Sequence, residues 1–248
     1  MPKHKKEVIK LYGRNSVAQR LKENPGSVRR IFLQENLHLP QIEQLIKEHH
    51  VVVERVSLRE LTRIKHSQDL QGIVARVDKF EYTPLDDLLK RSRGNQLTLV
   101  FLDRINDPQN LGVIMRTLAC FGNFGLIIPK FEACEITETV LHVACGGENY
   151  VPVVMVTNLN NAIIKAKQCG YWILGTVVDE PAQGINKISL PFPLALVLGS
   201  EGKGIRDGIK KQLDIQARIP MPGAKLSLNV SIACAIFCQE ITKQRGER

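Results

Sequence analysis

The spacing of apolar residues changes period along the chain, and each change marks an element. VRRIFLQ (28–34) alternates apolar and polar positions, the two-residue period of a strand. VVVERV (51–56) and GIVARV (72–77) read as further strands. Between 28–34 and 51–56, Ile42, Leu45 and Ile46 recur at helical spacing over 39–49. Val17, Ala18 and Leu21 mark a short amphipathic helix that ends at Asn24-Pro25-Gly26. Ser57 followed three residues later by Glu60 is a capping box, so a short helix is predicted from there. Strands alternating with short helices predict a small α/β module over residues 1–79, with residues 1–10 as a mobile basic arm.

Beyond residue 96 the strand signals become almost wholly apolar. LTLVFLD (97–103), FGLIIP (124–129), VPVVMV (151–156), YWILGTVV (171–178) and LALVLG (194–199) suit buried parallel strands, and DIQARI (214–219) is the last. Helical stretches fall between them, including 137–144, 158–168 and a short one reaching Gln212. The fold class is therefore α/β, with an open, mainly parallel sheet covered on both faces over 96–248. Residues 80–95 are polar and charged around one short helical pattern; they are read as a linker, with the boundary near Gly94.

The segment 219–240, IPMPGAKLSLNVSIACAIFCQE, leaves the last strand, passes two prolines and a glycine, and enters a helix apolar on nearly every side. Such a helix is buried in its own core or against a partner subunit. Ser227, Asn229 and Ser231 lie at its mouth, where free N–H groups favour a polar or anionic ligand; Ser227 also has the residue type of a plain N-cap.

Composition narrows the partners. The 248 residues carry 34 Lys+Arg and 25 Asp+Glu, and the excess of positive charge is concentrated at the start: residues 1–30 hold nine basic and two acidic residues. A concentrated positive patch suits a polyanion, nucleic acid first, against the alternative of a solvated basic tail. No apolar run is long enough to span a bilayer, and the basic start has no apolar signal core behind it, so a cytoplasmic protein is expected. The six cysteines form no CxxC pair, and the histidines do not cluster with them; free core thiols are expected and no metal site.

Parallel sheets bind ligands beyond the carboxyl ends of their strands. Three loops there are unusual: 103–112, 199–204 and 219–229. GSEGKG (199–204) follows the most apolar strand but has neither GxxxxGK[ST] nor GxGxxG spacing, which excludes a phosphate-loop hydrolase. Its glycines suit close backbone approach to a ligand or a plain turn, and Glu201 is either a ligand acceptor or a solvated turn residue. Asn110 falls near a helix start and Arg116 six residues on, a spacing that does not share a face. An Arg among Ile114, Met115 and Leu118 calls for an anionic ligand or a salt-bridge partner.

Taken together, Asn110-x-Gly112-x-x-x-Arg116, Leu198-Gly199-Ser200-Glu201-Gly202, and Ile219-Pro220-Met221 with Ser227-Leu228-Asn229-Val230-Ser231 resemble the three ordered motifs of the SpoU/TrmH-type RNA ribose 2′-O-methyltransferases of the SPOUT superfamily. That resemblance covers about 97–243. Tyr12-Gly13-Arg14-Asn15 and HSQDLQG (66–72) are similar to the small RNA-binding domain of the bacterial 23S rRNA guanosine-2′-O-methyltransferases, which extends the match to nearly the whole chain.

The resemblance implies a C-terminal trefoil knot, a homodimer through the C-terminal domain, and S-adenosylmethionine as cofactor. It implies that Gly175, Thr176, Leu198, Gly199, Ile219, Met221 and Leu228 line the cofactor site. It places Arg116 at the ribose hydroxyl, with Asn110, Glu201, Ser227 and Asn229 orienting it, and Glu201 as a pairing partner that would ease burial of Arg116. The basic N-terminal module would contact RNA phosphates through Arg14, Lys22, Arg29 and Arg30. The implied reaction is methylation of a guanosine 2′-hydroxyl in large-subunit rRNA. The alternatives are the same chemistry on tRNA or another rRNA site, or a non-catalytic RNA-binding assembly protein of the same fold.

Overall fold

The computed structural model describes residues 7–95, 97–177, 182–224 and 226–246. The chain divides into two compact units: Met1–Glu81 with Ile136–Asn149, and Tyr82–Glu135 with Tyr150–Arg248.

The first unit contains β1 (Val8–Tyr12), α1 (Arg14–Glu23), β2 (Val28–Gln34), α2 (Pro40–Glu48), β3 (Val53–Val56), α3 (Leu58–Ile64) and β4 (Ile73–Asp78). Its sheet runs β1-β4-β2-β3. β4 is antiparallel to both neighbours, and β2 and β3 are parallel. Strand β2 and the helix ending at Asn24 match the sequence pattern, and the Ser57–Glu60 capping box is formed. The expected arm is corrected over its last part: Val8, Ile9 and Lys10 pair with Asp78, Val77 and Arg76 as an edge strand, and the rest of the arm, residues 1–6, lies outside the described residues. Ile9 and Lys10 are half-buried and Leu11 and Tyr12 buried, so this short stretch packs as well as pairs.

The return of Ile136–Asn149 to this unit carries helical residues Glu138–Ala144, numbered α6 in chain order below. Glu138 accepts the Lys10 N–H at 2.7 Å and pairs with Lys65. The His142 ring stacks on Tyr12 with centroids 4.1 Å apart. Glu148 pairs with Arg20 at 3.0 Å, both side chains almost wholly buried.

The second unit contains α4 (Leu85–Asn95), β5 (Thr98–Asp103), α5 (Pro108–Phe121), β6 (Phe124–Pro129), β7 (Val153–Val156), α7 (Leu159–Gln168), β8 (Trp172–Thr176), β9 (Gln183–Gly184), β10 (Leu194–Gly199), α8 (Asp207–Lys210), β11 (Ile215–Arg218) and α9 (Val230–Gly246). Its sheet is parallel throughout, in the order β7-β6-β5-β10-β8-β11-β9. Leu99 and Phe101 of β5 face a cluster built with Leu88, Leu89, Ile163 and Ile209 from α4, α7 and α8. Val100 and Leu102, on the opposite pleat, are also buried, on the face where α5 and α9 pack together. The stretch 80–95, expected as a linker, thus holds a helix whose Leu88 and Leu89 belong to the core of this unit. Polarity along 80–95 hid them, because two leucines in each turn suffice to bury one helix stripe. The expected strand 171–178 ends at Thr176, and Val178 lies outside the described residues.

Candidate active site

Parallel strands all deliver their carboxyl ends to one edge. Neighbours β5, β10, β8 and β11 therefore bring together the residues that follow them: the loop to α5, the loop after Gly199, Thr176, and Ile219 with Met221.

The 199–205 loop folds back tightly. Gly204 N–H donates to Ser200 O at 2.9 Å, and a Cβ on Gly199 would lie 2.2 Å from the Gly204 carbonyl carbon. Only glycine fits there. Gly175 is similarly constrained, since a Cβ would meet Leu213 at 2.3 Å. Replacing Gly199 with Ala is expected to cost ~1–3 kcal/mol, the usual penalty for forcing atoms into a filled space, and to weaken cofactor binding with it. Thermal unfolding and calorimetric titration check both.

At the loop's tip Glu201 is held from three directions. Its Oε1 accepts from Asn229 Nδ2 at 2.8 Å, from the Val230 backbone N–H at 3.4 Å and from Asn110 Nδ2 at 3.5 Å. Asn229 Nδ2 also donates to Asn110 Oδ1 at 2.9 Å. One residue from each of the three sequence motifs thus meets in a single network. Glu201 is an exposed turn residue, and these contacts fix its carboxylate in place.

Asn229 also caps α9: its Oδ1 accepts from the Ser231 N–H at 2.8 Å and the Ser231 hydroxyl at 2.5 Å, and its carbonyl from the Ala233 N–H. The N-cap is therefore Asn229, not Ser227, which is exposed two residues upstream. Leu228, half-buried, also precedes the helix. Nor is α9 covered all round: Ile232 is 52% exposed while Val230, Cys234, Phe237, Cys238 and Ile241 are buried.

Arg116 lies on the exposed face of α5, opposite Leu111, Ile114, Met115 and Leu118. The expectation that it is a buried arginine is corrected: the apolar residues around it in sequence point to the core and it does not. Leu198, expected at the cofactor site, is 1% exposed and covered by the protein itself. Met221 is 42% exposed and Ile219 half-buried.

Sequence reasoning missed Asp103 and Arg206. Asp103, fully buried at the end of β5, accepts from the Arg206 N–H at 2.8 Å and from its guanidinium at 2.7 Å. The pair clamps the exit of the glycine loop to the neighbouring strand. An acid closing a wholly apolar strand was the available signal, because a buried carboxylate demands a partner.

In the first unit, Arg14 is exposed, and its N–H and Nε reach Gln71 Oε1 and O at 2.9 and 3.1 Å, which joins the two N-terminal motifs. Lys22 is exposed. Arg29 and Arg30 are exposed too but each faces an acid: Arg29 forms a two-pronged pair with Asp78 at 2.6 and 2.7 Å, which raises its pKa through hydrogen bonding and then charge, and Arg30 pairs with Glu54 at 2.9 Å. Of the six cysteines, Cys234 and Cys238 are buried and Cys120 is exposed, so the expectation of core thiols holds for the α9 pair and not for Cys120.

Residues 97–239 match the SpoU rRNA Methylase family, and residues 10–83 match the RNA 2′-O ribose methyltransferase substrate-binding family. The chain belongs to the SpoU family. It is 36% identical over 242 residues to the 23S rRNA (guanosine-2′-O-)-methyltransferase RlmB of Pseudomonas aeruginosa, covering 95% of this chain and 96% of that protein. It is 38% identical over 205 residues to an uncharacterized tRNA/rRNA methyltransferase of Synechocystis, covering 82% of this chain and 53% of that longer protein. Among solved structures, the SpoU methyltransferase AviRb from Streptomyces viridochromogenes, in complex with AdoMet, superposes with a TM-score of 0.80 at 20% identity, over 97% of this chain and 92% of that one, a likeness of fold.

Proposed function

We propose that this protein transfers a methyl group from S-adenosylmethionine to the ribose 2′-hydroxyl of a guanosine in 23S rRNA. The observation that carries the reading is the network of Asn110, Glu201 and Asn229, which unites the three motifs at the carboxyl edge of the sheet.

The residues suited to hold the cofactor fit it in kind. Gly175, Thr176, Leu198, Gly199, Ile219, Met221 and Leu228 come from the ends of adjacent strands and the entry to α9. When bound, the cofactor supplies an electrophilic methyl group on a sulfonium. Arg116 positions the 2′-hydroxyl or the adjoining phosphate and stabilises negative charge as it develops on the oxygen. A guanidinium stays protonated, so its role is electrostatic. Glu201, fixed by two asparagines, orients the ribose; Ser227 and Asn229 support it at the mouth of α9. Arg14 and Lys22 contact RNA phosphates, with Arg29 and Arg30 contributing less because Asp78 and Glu54 offset their charge.

The same reading includes a homodimer, a cytoplasmic site of action and a knotted C-terminal segment. Exposed Ile232 on α9 and Val113 on the adjoining α5 support an interface between copies, which sedimentation of the full chain checks. The tie of Gln244 near the end of α9 to Ile188 and Leu190 supports a tail tucked behind the 185–193 segment. Among the described residues, no helix is long and apolar enough to cross a membrane.

The test is transfer of labelled methyl to unmodified large-subunit rRNA with tRNA alongside, followed by mapping of the modified ribose. Label on one rRNA guanosine is expected. Label on tRNA alone would overturn the substrate, and absence of cofactor binding would overturn the enzyme reading.

A further inference from the structure

One cleft remains unused by this chemistry. It lies beyond the carboxyl ends of β6 and β7, has a volume of about 300 Å³, and is lined by Phe131, Glu132, Thr157, Asn158, Asn160 and Arg206 among others. By strand order, β6 and β7 are the first and second strands past β5, on the side away from β8 and β11. Strands repeat at about 4.8 Å, so the cleft opens about 10–15 Å from the methyl-transfer edge, a displacement of one or two nucleotides rather than the span of one ribose.

Its chemistry is that of a site for a flat, neutral heterocycle. Phe131 is 63% exposed, with Lys130 Nζ 5.7 Å from its ring centroid on one face. A large aromatic left in water beside a cleft is a stacking platform. The cleft's arginine is already compensated: Arg206 pairs with Asp103 at 2.7 Å and with Glu132 at 3.1 Å. Two carboxylates against Arg206 and Lys130 leave no net positive charge, which disfavours a phosphate. Donors line it at Thr157 and Arg206, and two acceptors stand out. Glu132 presents a carboxylate, and Asn160 Oδ1 is buried without a hydrogen-bond partner. A buried acceptor left unpaired calls for a donor. The volume is at the small end for ligand clefts, enough for one base.

We propose that this cleft captures an unpaired, amino-bearing base of the RNA, adjacent to the methylated ribose, stacked on Phe131 with its amino group directed to Asn160 and Glu132. The assignment rests on the RNA-methylation reading for its ligand and deepens it: it makes the β6–β7 edge a reader of single-stranded sequence next to the target, apart from phosphate contacts in the N-terminal unit.

Phe131 replaced by Trp, in a protein whose single native tryptophan, Trp172, is replaced by Phe, reports on the cleft without turnover. Short oligocytidylate is expected to quench that fluorescence, oligouridylate several-fold less, and inorganic phosphate not at all. No quenching by any RNA overturns the site. Quenching by inorganic phosphate makes it an anion site, and equal quenching by the two pyrimidine RNAs removes the amino group from the assignment. In turnover with 23S rRNA, Phe131→Ala should raise KM for RNA about tenfold, the scale of one lost base stack, with kcat and cofactor affinity unchanged, and Phe131→Tyr should restore it. A wild-type KM in Phe131→Ala also overturns the site. Quenching by oligocytidylate without any methylation of rRNA would instead overturn the function reading and leave the cleft as a base-binding site.

Discussion

Arg116→Ala is expected to lower methyl transfer by at least about a hundredfold while leaving S-adenosylmethionine affinity unchanged. The magnitude is that of removing one preorganised group from a developing oxyanion, ~2.7–4 kcal/mol. The separation of effects follows from placement: Arg116 rides on the exposed face of α5, whereas the residues proposed for the cofactor end β8 and β10, follow β11 or precede α9. Arg116→Lys should recover little, because an ammonium cannot reproduce the planar fork. Single-turnover assays with saturating RNA, paired with calorimetry for the cofactor, read both quantities. Full activity in Arg116→Ala would remove the residue from the mechanism.

The second large effect is on stability. Arg20→Ala is expected to cost ~3–5 kcal/mol, the penalty for leaving one charge of a buried pair without its partner. Arg20 and Glu148 are 5% and 1% exposed at their side chains, so solvent does not screen the loss. Burial already pushes the Glu148 carboxyl above its ordinary range, against the pull of Arg20. A carboxyl raised in the folded state favours folding below its unfolded pKa and loses that contribution as pH rises through the folded value. Without Arg20 the folded value climbs further. The deficit of the variant should therefore be largest at neutral pH and shrink in acid, where Glu148 is protonated in both states. Denaturant unfolding at several pH values measures it, and a pH-independent deficit would assign the loss to packing alone.

Much of the fold was legible because its strands are extreme. LALVLG has no polar side chain and LTLVFLD has only Thr98 before its last position, so they had to be central, and they are adjacent in the sheet. The cap was legible where a side chain acts on its own next turn, as at Ser57. What escaped was whatever depends on distant partners. Nothing local distinguishes Ser227 from Asn229 as the cap of α9; the choice was made by Glu201 and Asn110, which hold Asn229 in place from elsewhere in the chain. Arg116 looked buried because its neighbours in sequence are apolar, yet a helix turns about 100° at each residue and sends it outward. Asn110, Glu201 and Asn229 each stood out in their own loops and the resemblance grouped them; their mutual contacts were not visible in a spacing.

The excursion of 136–149 bears on how such a chain can be inherited. A gene cut near the codon for Glu81 would separate β1–β4 from the methylase sheet but strand Val140, Leu141, Ala144 and Glu148, which are buried within the first unit. Recombination therefore has no clean joint here. A new N-terminal unit could be accepted only with a matching rewrite of the fourteen residues 136–149, far along the chain.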